Sequence, residues 1–262
     1  MNEPSPLDEA PSSLACAVPC DIVAITAHPD DMEICCGGTL ALAVRQGWKA
    51  GAVEMTRGEL GTRGTPEIRA KEAEEARRVL GLSCRLNLEL PDGHVRDTDE
   101  ARKLVVRVLR ILRPRVVIAP PLRDHHADHI ATAEIVSRSL HLSGVAKYLP
   151  GLEPWKPHAL LHYVGTRPAV PSLIVDVSSV FEVRREAMMC HRSQFFREGS
   201  TERATRIAHP DFPRAIEGRL RHFGAMIGAA YGEAYTSEEP IPALDLVALY
   251  SRTPWGHKPT PP

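Results

Sequence analysis

The strongest constraint on the fold is an alternation. From residue 21 onward, short runs rich in β-branched residues take turns with longer stretches of helical periodicity. Residues 21–27 (DIVAITA), 50–56, 85–90 and 115–119 (RVVIA) read as strands. Between them, residues 39–46, a segment from Thr65-Pro66 to Gly81, and 131–142 read as helices. Thr65 is a natural cap, Pro66 gives up no needed N–H at the first helical position, and Gly81 is a natural stop. Asp97 with Glu100 three residues on fits the start of a further helix, ending before Pro114. Strands at 159–165 and 173–177, a helix opened by Ser179 and Glu182, a helix at 212–228 and a late strand at 244–250 complete the pattern. Helical crossovers of this length return the chain right-handed to a parallel neighbour. The expected architecture is therefore α/β, a mostly parallel sheet with helices on both faces. The nearly all-apolar 115–119 run fits a strand covered on both sides.

At 262 residues and 43% hydrophobic content, the chain can bury a full core. One domain over residues 20–252 is expected. A mobile arm at 1–19, rich in Pro, Ser and Ala, precedes it, and a similar tail at 253–262 follows. A formal net charge of -1 argues against a nucleic-acid partner. No apolar run approaches the roughly 18 residues of a membrane span. Six scattered cysteines without a CxxC pair suit idle thiols in a reducing cytosol. Leu14-Ala15-Cys16 has neither a basic start nor an apolar stretch before it, so no signal peptide is expected. These features predict a cytoplasmic protein.

Ligands of open α/β sheets bind beyond the carboxyl ends of the strands. Three polar turns fall there. His28-Pro29-Asp30-Asp31 follows the first strand, and an imidazole and a carboxylate three residues apart can converge on one divalent ion. The bland alternative is an Asx turn capping the next helix. Asp124-His125-His126-Ala127-Asp128-His129 follows the fourth strand. Three histidines and two aspartates in six residues suit a metal or catalytic site better than a core or a solvated face. The third turn, residues 56–66, holds three glycines with Arg57 and Arg63, which can grip hydroxyls or carboxylates or stay solvated. It lacks Gly-Lys-Ser/Thr, and no GxGxxG follows the first strand, so nucleotide binding is disfavoured. Two histidines and one carboxylate with open positions describe a catalytic metal site. Zn²⁺ fits N/O ligands, and Fe²⁺ accepts the same set. Tyr231 can serve an oxyanion or pack in the core. His191 and Gln194 can face the pocket or form a surface pair.

His28-Pro29-Asp30-Asp31, the distant Asp128-His129 and the stretch Gly58-Glu59-Leu60-Gly61-Thr62-Arg63-Gly64-Thr65 resemble the PIG-L/LmbE-like N-deacetylases. That family implies a Rossmann-like zinc hydrolase removing acetyl groups from N-acetylglucosaminyl compounds. Leu90-Pro91-Asp92-Gly93, the run from His191 to Phe195 and Tyr231-Gly232-Glu233-Ala234 resemble its bacillithiol branch, the N-acetylglucosaminyl-malate deacetylases. The resemblance implies His28, Asp31 and His129 as metal ligands and Asp30 as general base. It also implies His126 as the group stabilising the tetrahedral intermediate and Asp128 as the carboxylate orienting it. Arg63 and Asp92 would hold sugar hydroxyls; Arg57, by its place in the glycine-rich loop and its two-pronged guanidinium rather than by the resemblance, is the candidate grip for the malate. Ala127 stands where the family usually has proline, which bears on loop rigidity and removes no ligand. The implied partner is a small-molecule glycoside, and the resemblance leaves room for a homo-oligomer. Two rivals stand beside this reading. One is an amidase acting on thiol S-conjugates with the same metal site. The other is a receiver-like phosphoacceptor module, which leaves His126 and His129 unexplained because hard Mg²⁺ prefers oxygen.

Overall fold

The computed structural model describes residues 11–243 and Asp245. Its strands are β1 (Ile22–Thr26), β2 (Ala50–Thr56), β3 (Cys84–Leu90), β4 (Val116–Ala119), β5 (Ala159–Tyr163), β6 (Leu173–Asp176) and β7 (Gly232–Thr236). The helices are α1 (Asp31–Cys35), α2 (Gly37–Arg45), α3 (Pro66–Leu80), α4 (Asp99–Leu112), α5 (Ala127–Ser143), α6 (Phe181–Met189) and α7 (Phe212–Met226). All seven strands form one sheet in the order β3-β2-β1-β4-β5-β7-β6. The first five are parallel, while β7 runs antiparallel to both β5 and β6. From β1 the chain winds outward to β3, then returns to place β4 on the other side of β1. This reversal opens a crevice above the carboxyl ends of β1 and β4.

Strand alternation divides the core into two layers. Val23, Ile25, Val53, Met55, Leu86 and Leu88 pack with Val105, Val108, Leu109 and Leu112 of α4 and Ile135 and Val136 of α5. Ala24, Ala52 and Ile118 face the other way, against Met32, Leu40, Ala76, Leu80 and Ala187. Full burial of such aliphatic side chains contributes about 1.5–3 kcal/mol each. The alanines of the second face give the helices room to lie close to the sheet.

Local signals place most boundaries. Thr65 accepts from the Ile68 N–H at 3.3 Å, and Gly81 ends α3 at φ 69°, where a Cβ would be strained. Other boundaries shift for visible reasons. Helix α4 is capped by Thr98, through Ala101 N–H at 3.2 Å, and not by Asp97. The Asp97 carboxylate is already held by Arg102 at 2.6 Å and by Arg138. Helix α5 begins at Ala127 rather than 131, because His126 Nδ1 accepts from the Asp128 N–H at 3.3 Å. Ser179 does not cap α6, whose first turn follows Val180 without a side-chain cap. The turn expected after residue 30 is the one-turn helix α1.

The main addition is β7, which carries the Tyr231-to-Ala234 stretch read earlier only as a motif. Its Glu233 points inward and caps α2, accepting from Gly38 N–H at 2.9 Å and Thr39 N–H at 2.6 Å. Residues 12–16, expected within a mobile arm, form a 3₁₀ turn whose Leu14 joins the core and whose Ser13 bonds Asn87. The late strand expected at 244–250 and the tail at 253–262 lie outside the described residues. Among those described, no helix is long and apolar enough to cross a membrane.

Candidate metal centre and its cavity

The first polar turn is tight and strained. Asp31 Oδ2 accepts from the backbone N–H of His28 at 2.9 Å, closing the turn on itself. Between them Asp30 sits at φ 121°, a region that L-residues rarely adopt and that persists only where the surroundings impose it. Arg69 of α3 is the restraint. Its buried guanidinium donates to Pro29 O at 2.7 Å and Gly58 O at 3.1 Å, and stands 3.4 Å from Asp30 Oδ1. Gly58 is needed there, since a Cβ would lie 2.0 Å from Arg69 Nη1.

Two loops from different strands converge at the crevice. His28 Nδ1 and His129 Nε2 each lie 3.3 Å from Asp31 Oδ2. Donors bound tetrahedrally at ~2.0–2.1 Å stand roughly 3.3 Å apart, so the two imidazole–carboxylate spacings match two edges of the shell of one small divalent ion. The other ring nitrogens face carboxylates. His28 Nε2 is 3.0 Å from Asp92 Oδ1 and 3.3 Å from Asp128 Oδ2, and His129 Nδ1 is 3.3 Å from Asp124 Oδ2. A carboxylate behind a histidine sets its tautomer, turning the other lone pair toward a metal. His129 Nδ1 otherwise has no hydrogen-bond partner. His126 brings a third imidazole, with a ring nitrogen within 4.8 Å of those of His28 and His129. It stacks on His129 at a centroid distance of 4.9 Å.

Charge is out of balance here. Burial presses the His28 imidazole down, yet hydrogen bonds to Asp128, Asp31 and Asp92 hold it well above its usual range. His129 behaves alike: burial lowers it, while Asp31 and Asp124 carry it to about 10. Burial would raise Asp31, but His129 and His28 keep it well below the carboxylate range. Two imidazoles thus hold protons against a cluster of carboxylates, the place a divalent ion takes with proton release. Asp30 differs: its burial, only partly offset by Arg69, raises it.

The residues expected to act together do not all meet. His28, Asp30, Asp31, Asp92, His126 and His129 line one cavity of about 610 Å³. Asp128 is close by but does not orient His126 through its carboxylate. That carboxylate accepts from Gly93 N–H at 2.7 Å and Val95 N–H at 3.2 Å and supports His28. Asp128 instead reaches the His126 ring through its backbone N–H, which donates to Nδ1 and leaves the ring proton on Nε2. Burial, and the charges of His28 and His129, push His126 below its usual value. Asp92 spends both oxygens within the protein, on His28 and on the Leu60 N–H at 2.9 Å.

Four expected substrate contacts lie elsewhere. Arg57 is exposed and outside the cavity wall. Arg63 is buried against Glu202 at 2.8 Å and Ser200 at 3.2 Å. His191 is 0% exposed, 3.2 Å from Glu33. Tyr231 stacks on Phe181 and bonds Arg221 and Glu217, away from the cavity. Arg69, Asp124 and Gln194 are on the wall instead, with Arg206, Arg219 and an apolar side of Ile34, Ile207, Phe212 and Ile216. Asp124 belonged to a visible motif. Arg69 had no local signal, being one arginine among several charges on a helix.

Residues 23–140 match the PIG-L family, described as GlcNAc-PI de-N-acetylase. A conserved protein of Thermus thermophilus superposes with a TM-score of 0.80 at 37% identity, over 89% of this chain and 100% of that one. The diacetylchitobiose deacetylase of Thermococcus kodakarensis is 29% identical over 189 residues, which is 66% of this chain and 70% of the relative. The probable N-acetyl-alpha-D-glucosaminyl L-malate deacetylase 2 of Bacillus cereus is 26% identical over 192 residues, 66% of this chain and 83% of its own length.

Proposed function

The chain belongs to the PIG-L/LmbE-like deacetylases and is an N-deacetylase hydrolase, and from that premise we propose a specific substrate and a specific division of labour. The substrate is an N-acetylglucosaminyl conjugate, N-acetylglucosaminyl-malate of bacillithiol biosynthesis, and the cofactor is Zn²⁺ held by His28, Asp31 and His129. The observation that carries this reading is the 3.3 Å convergence of His28 Nδ1 and His129 Nε2 on Asp31 Oδ2, with carboxylates behind both rings. Fe²⁺ fits the same donors, and metal analysis of the purified protein distinguishes the two.

A bound divalent ion supplies Lewis-acid polarisation of the amide carbonyl and acidifies a water. Asp30 lines the cavity without facing either ring nitrogen of the donor set, so its carboxylate is free to accept the water's proton. Burial raises its proton affinity and suits it to passing that proton to the leaving amine. Arg69 holds Asp30 in the strained turn. His126 offers its Nε2–H to the developing oxyanion, a contribution often worth about 3 kcal/mol. Asp92, Asp124 and Asp128 keep the two ligand imidazoles in the binding tautomer.

The apolar wall of Ile34, Ile207, Phe212 and Ile216 favours one alternative for the same centre, amide cleavage in a thiol S-conjugate. Six free cysteines suit a cytoplasmic setting. Acetate release from N-acetylglucosaminyl-malate, measured beside the S-conjugate with zinc-loaded and chelated protein, tests the proposal. No turnover of the malate glycoside by zinc-loaded protein would overturn it.

A further inference from the structure

The carboxyl edge of the sheet does not end at the metal centre. One strand beyond β4, the end of β5 opens on a second cavity of about 890 Å³. The two cavities share Asp124, Tyr163 and Gly165 as a common wall. Nothing in the reaction described so far uses the far one.

Its lining has a distinct chemistry. Arg123 and Arg167 are exposed on it, and neither guanidinium has an ion pair or hydrogen bond among the described residues. Several arginines elsewhere are engaged with acids, among them Arg85 with two glutamates, Arg102 with Asp97 and Arg192 with Glu75. His162 contributes a second feature. It is 2% exposed, and its Nδ1 donates to Pro120 O at 2.6 Å, which fixes the ring and leaves Nε2 as an acceptor. That Nε2 is buried without a partner. A buried acceptor left unmatched is unfavourable, and a hydroxyl donor from a ligand would match it. The acids on the wall are Asp124, already engaged with His129 and with the His125 and His126 N–H groups, and exposed Glu238.

We propose that this second cavity is the aglycone subsite of the deacetylase, built for a carboxylate-bearing group, with Arg123 and Arg167 pairing its carboxylates and His162 Nε2 accepting a hydroxyl of the conjugate. The inference rests on the deacetylase reading and deepens it. It replaces Arg57 and Arg63, which the fold keeps away from the cavity, as the source of anion recognition. A planar guanidinium can hold a carboxylate by two parallel hydrogen bonds, which orients the ligand as well as binding it. Two such groups one strand away from the metal would anchor the aglycone while the N-acetyl group lies over Asp30 and His126.

The test compares the zinc-loaded wild type with Arg167→Ala, Arg123→Gln and the double variant. kcat/KM is measured on N-acetylglucosaminyl-malate and on an uncharged N-acetylglucosaminyl glycoside. The expected result is a loss on the malate glycoside at least tenfold larger than on the uncharged one, expressed mainly in KM. Equal losses on both substrates, or none on either, would overturn the subsite. His162→Asn keeps the donor to Pro120 O and removes the orphan acceptor, and it should raise KM for both glycosides. Calorimetry with free malate separates this inference from the function beneath it. Arginine-dependent malate binding by a protein that deacetylates neither glycoside would sink the deacetylase substrate and keep the anion site. Deacetylation of the uncharged glycoside by a protein that does not bind malate would do the reverse.

Discussion

Two buried clusters of charge lie within one turn of each other and teach opposite lessons. Asp30 and Asp31 open α1 into the cavity, while Glu33, on the same short helix, points into the protein. Around Glu33 the carboxylates share a permanent guanidinium. Arg85 pairs with both Glu33 and Glu54, the latter at 2.6 Å, and His191 stands 3.2 Å from Glu33. Around Asp31 they do not. Asp31, Asp92, Asp124 and Asp128 face two imidazoles, whose nitrogens converge on one oxygen. A buried cluster that carries a fixed counter-charge of its own is scaffold. One that falls short of positive charge and converges on a point invites a cation.

The comparison breaks first at the ligands. His28→Ala, Asp31→Ala or His129→Ala should each abolish stoichiometric zinc and turnover, read by elemental analysis beside an acetate-release assay. Asp30→Asn should keep zinc yet lower kcat on the order of 10³-fold, since an amide cannot take the water's proton. If Asp30→Asn empties the site as Asp31→Ala does, the separation of base from ligand is wrong.

Arg69→Met comes next, with a loss of about 10²-fold in kcat and full zinc retention, because the strained turn loses its restraint while the ligands remain. Zinc loss in this variant would show that Arg69 supports the ligand set itself.

The scaffold cluster should answer in stability instead. Burial would raise Glu33, but the Arg85 charge overrides it and brings the carboxyl down to about 2 from 4.5. A depressed acid contributes stability above its unfolded value, which is lost as pH falls through its folded one. Glu33→Gln should therefore cost on the order of 3 kcal/mol at neutral pH. Denaturant melts from pH 6 to pH 2 should show that gap closing below about pH 4.5. A gap independent of pH would mean that Glu33 acts through packing. The smallest effect is expected at Tyr231→Phe. It breaks a half-exposed link to Arg221 and Glu217 and should leave kcat within about twofold. A large kcat loss there would bring Tyr231 back toward the chemistry.

Helix and strand periods, the Thr65 and Gly81 ends of α3, and the two histidine-aspartate turns were legible because each is a local pattern. A cap reads three residues ahead, and a strand's alternation needs no partner to be seen. Their meeting was legible only through topology, since the β1 and β4 loops become neighbours when the strand order reverses. The allocation of partners was not. Asp128 looked like the orienter of His126 because it is two residues away, yet its side chain leaves α5 toward β3's loop and His28. Arg63 looked like a substrate grip because it lies in a glycine-rich loop, yet Glu202, 139 residues on, claims it. Strand β7 went unread because Gly232–Thr236 is too short and polar to announce a strand, and Glu233 is tolerated inside because α2 offers two free N–H groups, with the Thr39 and Tyr235 hydroxyls and Arg184 beside them. The sequence by itself determined the elements, their order and the residues able to hold a metal, since backbone preference and ligand chemistry reside in single residues and short spacings. Which carboxylate stands behind which histidine, which arginine remains free for a ligand, and which buried cluster carries a fixed counter-charge were decided by tertiary structure alone, because electrostatic partnership depends on distance in space and burial, and neither is written along the chain.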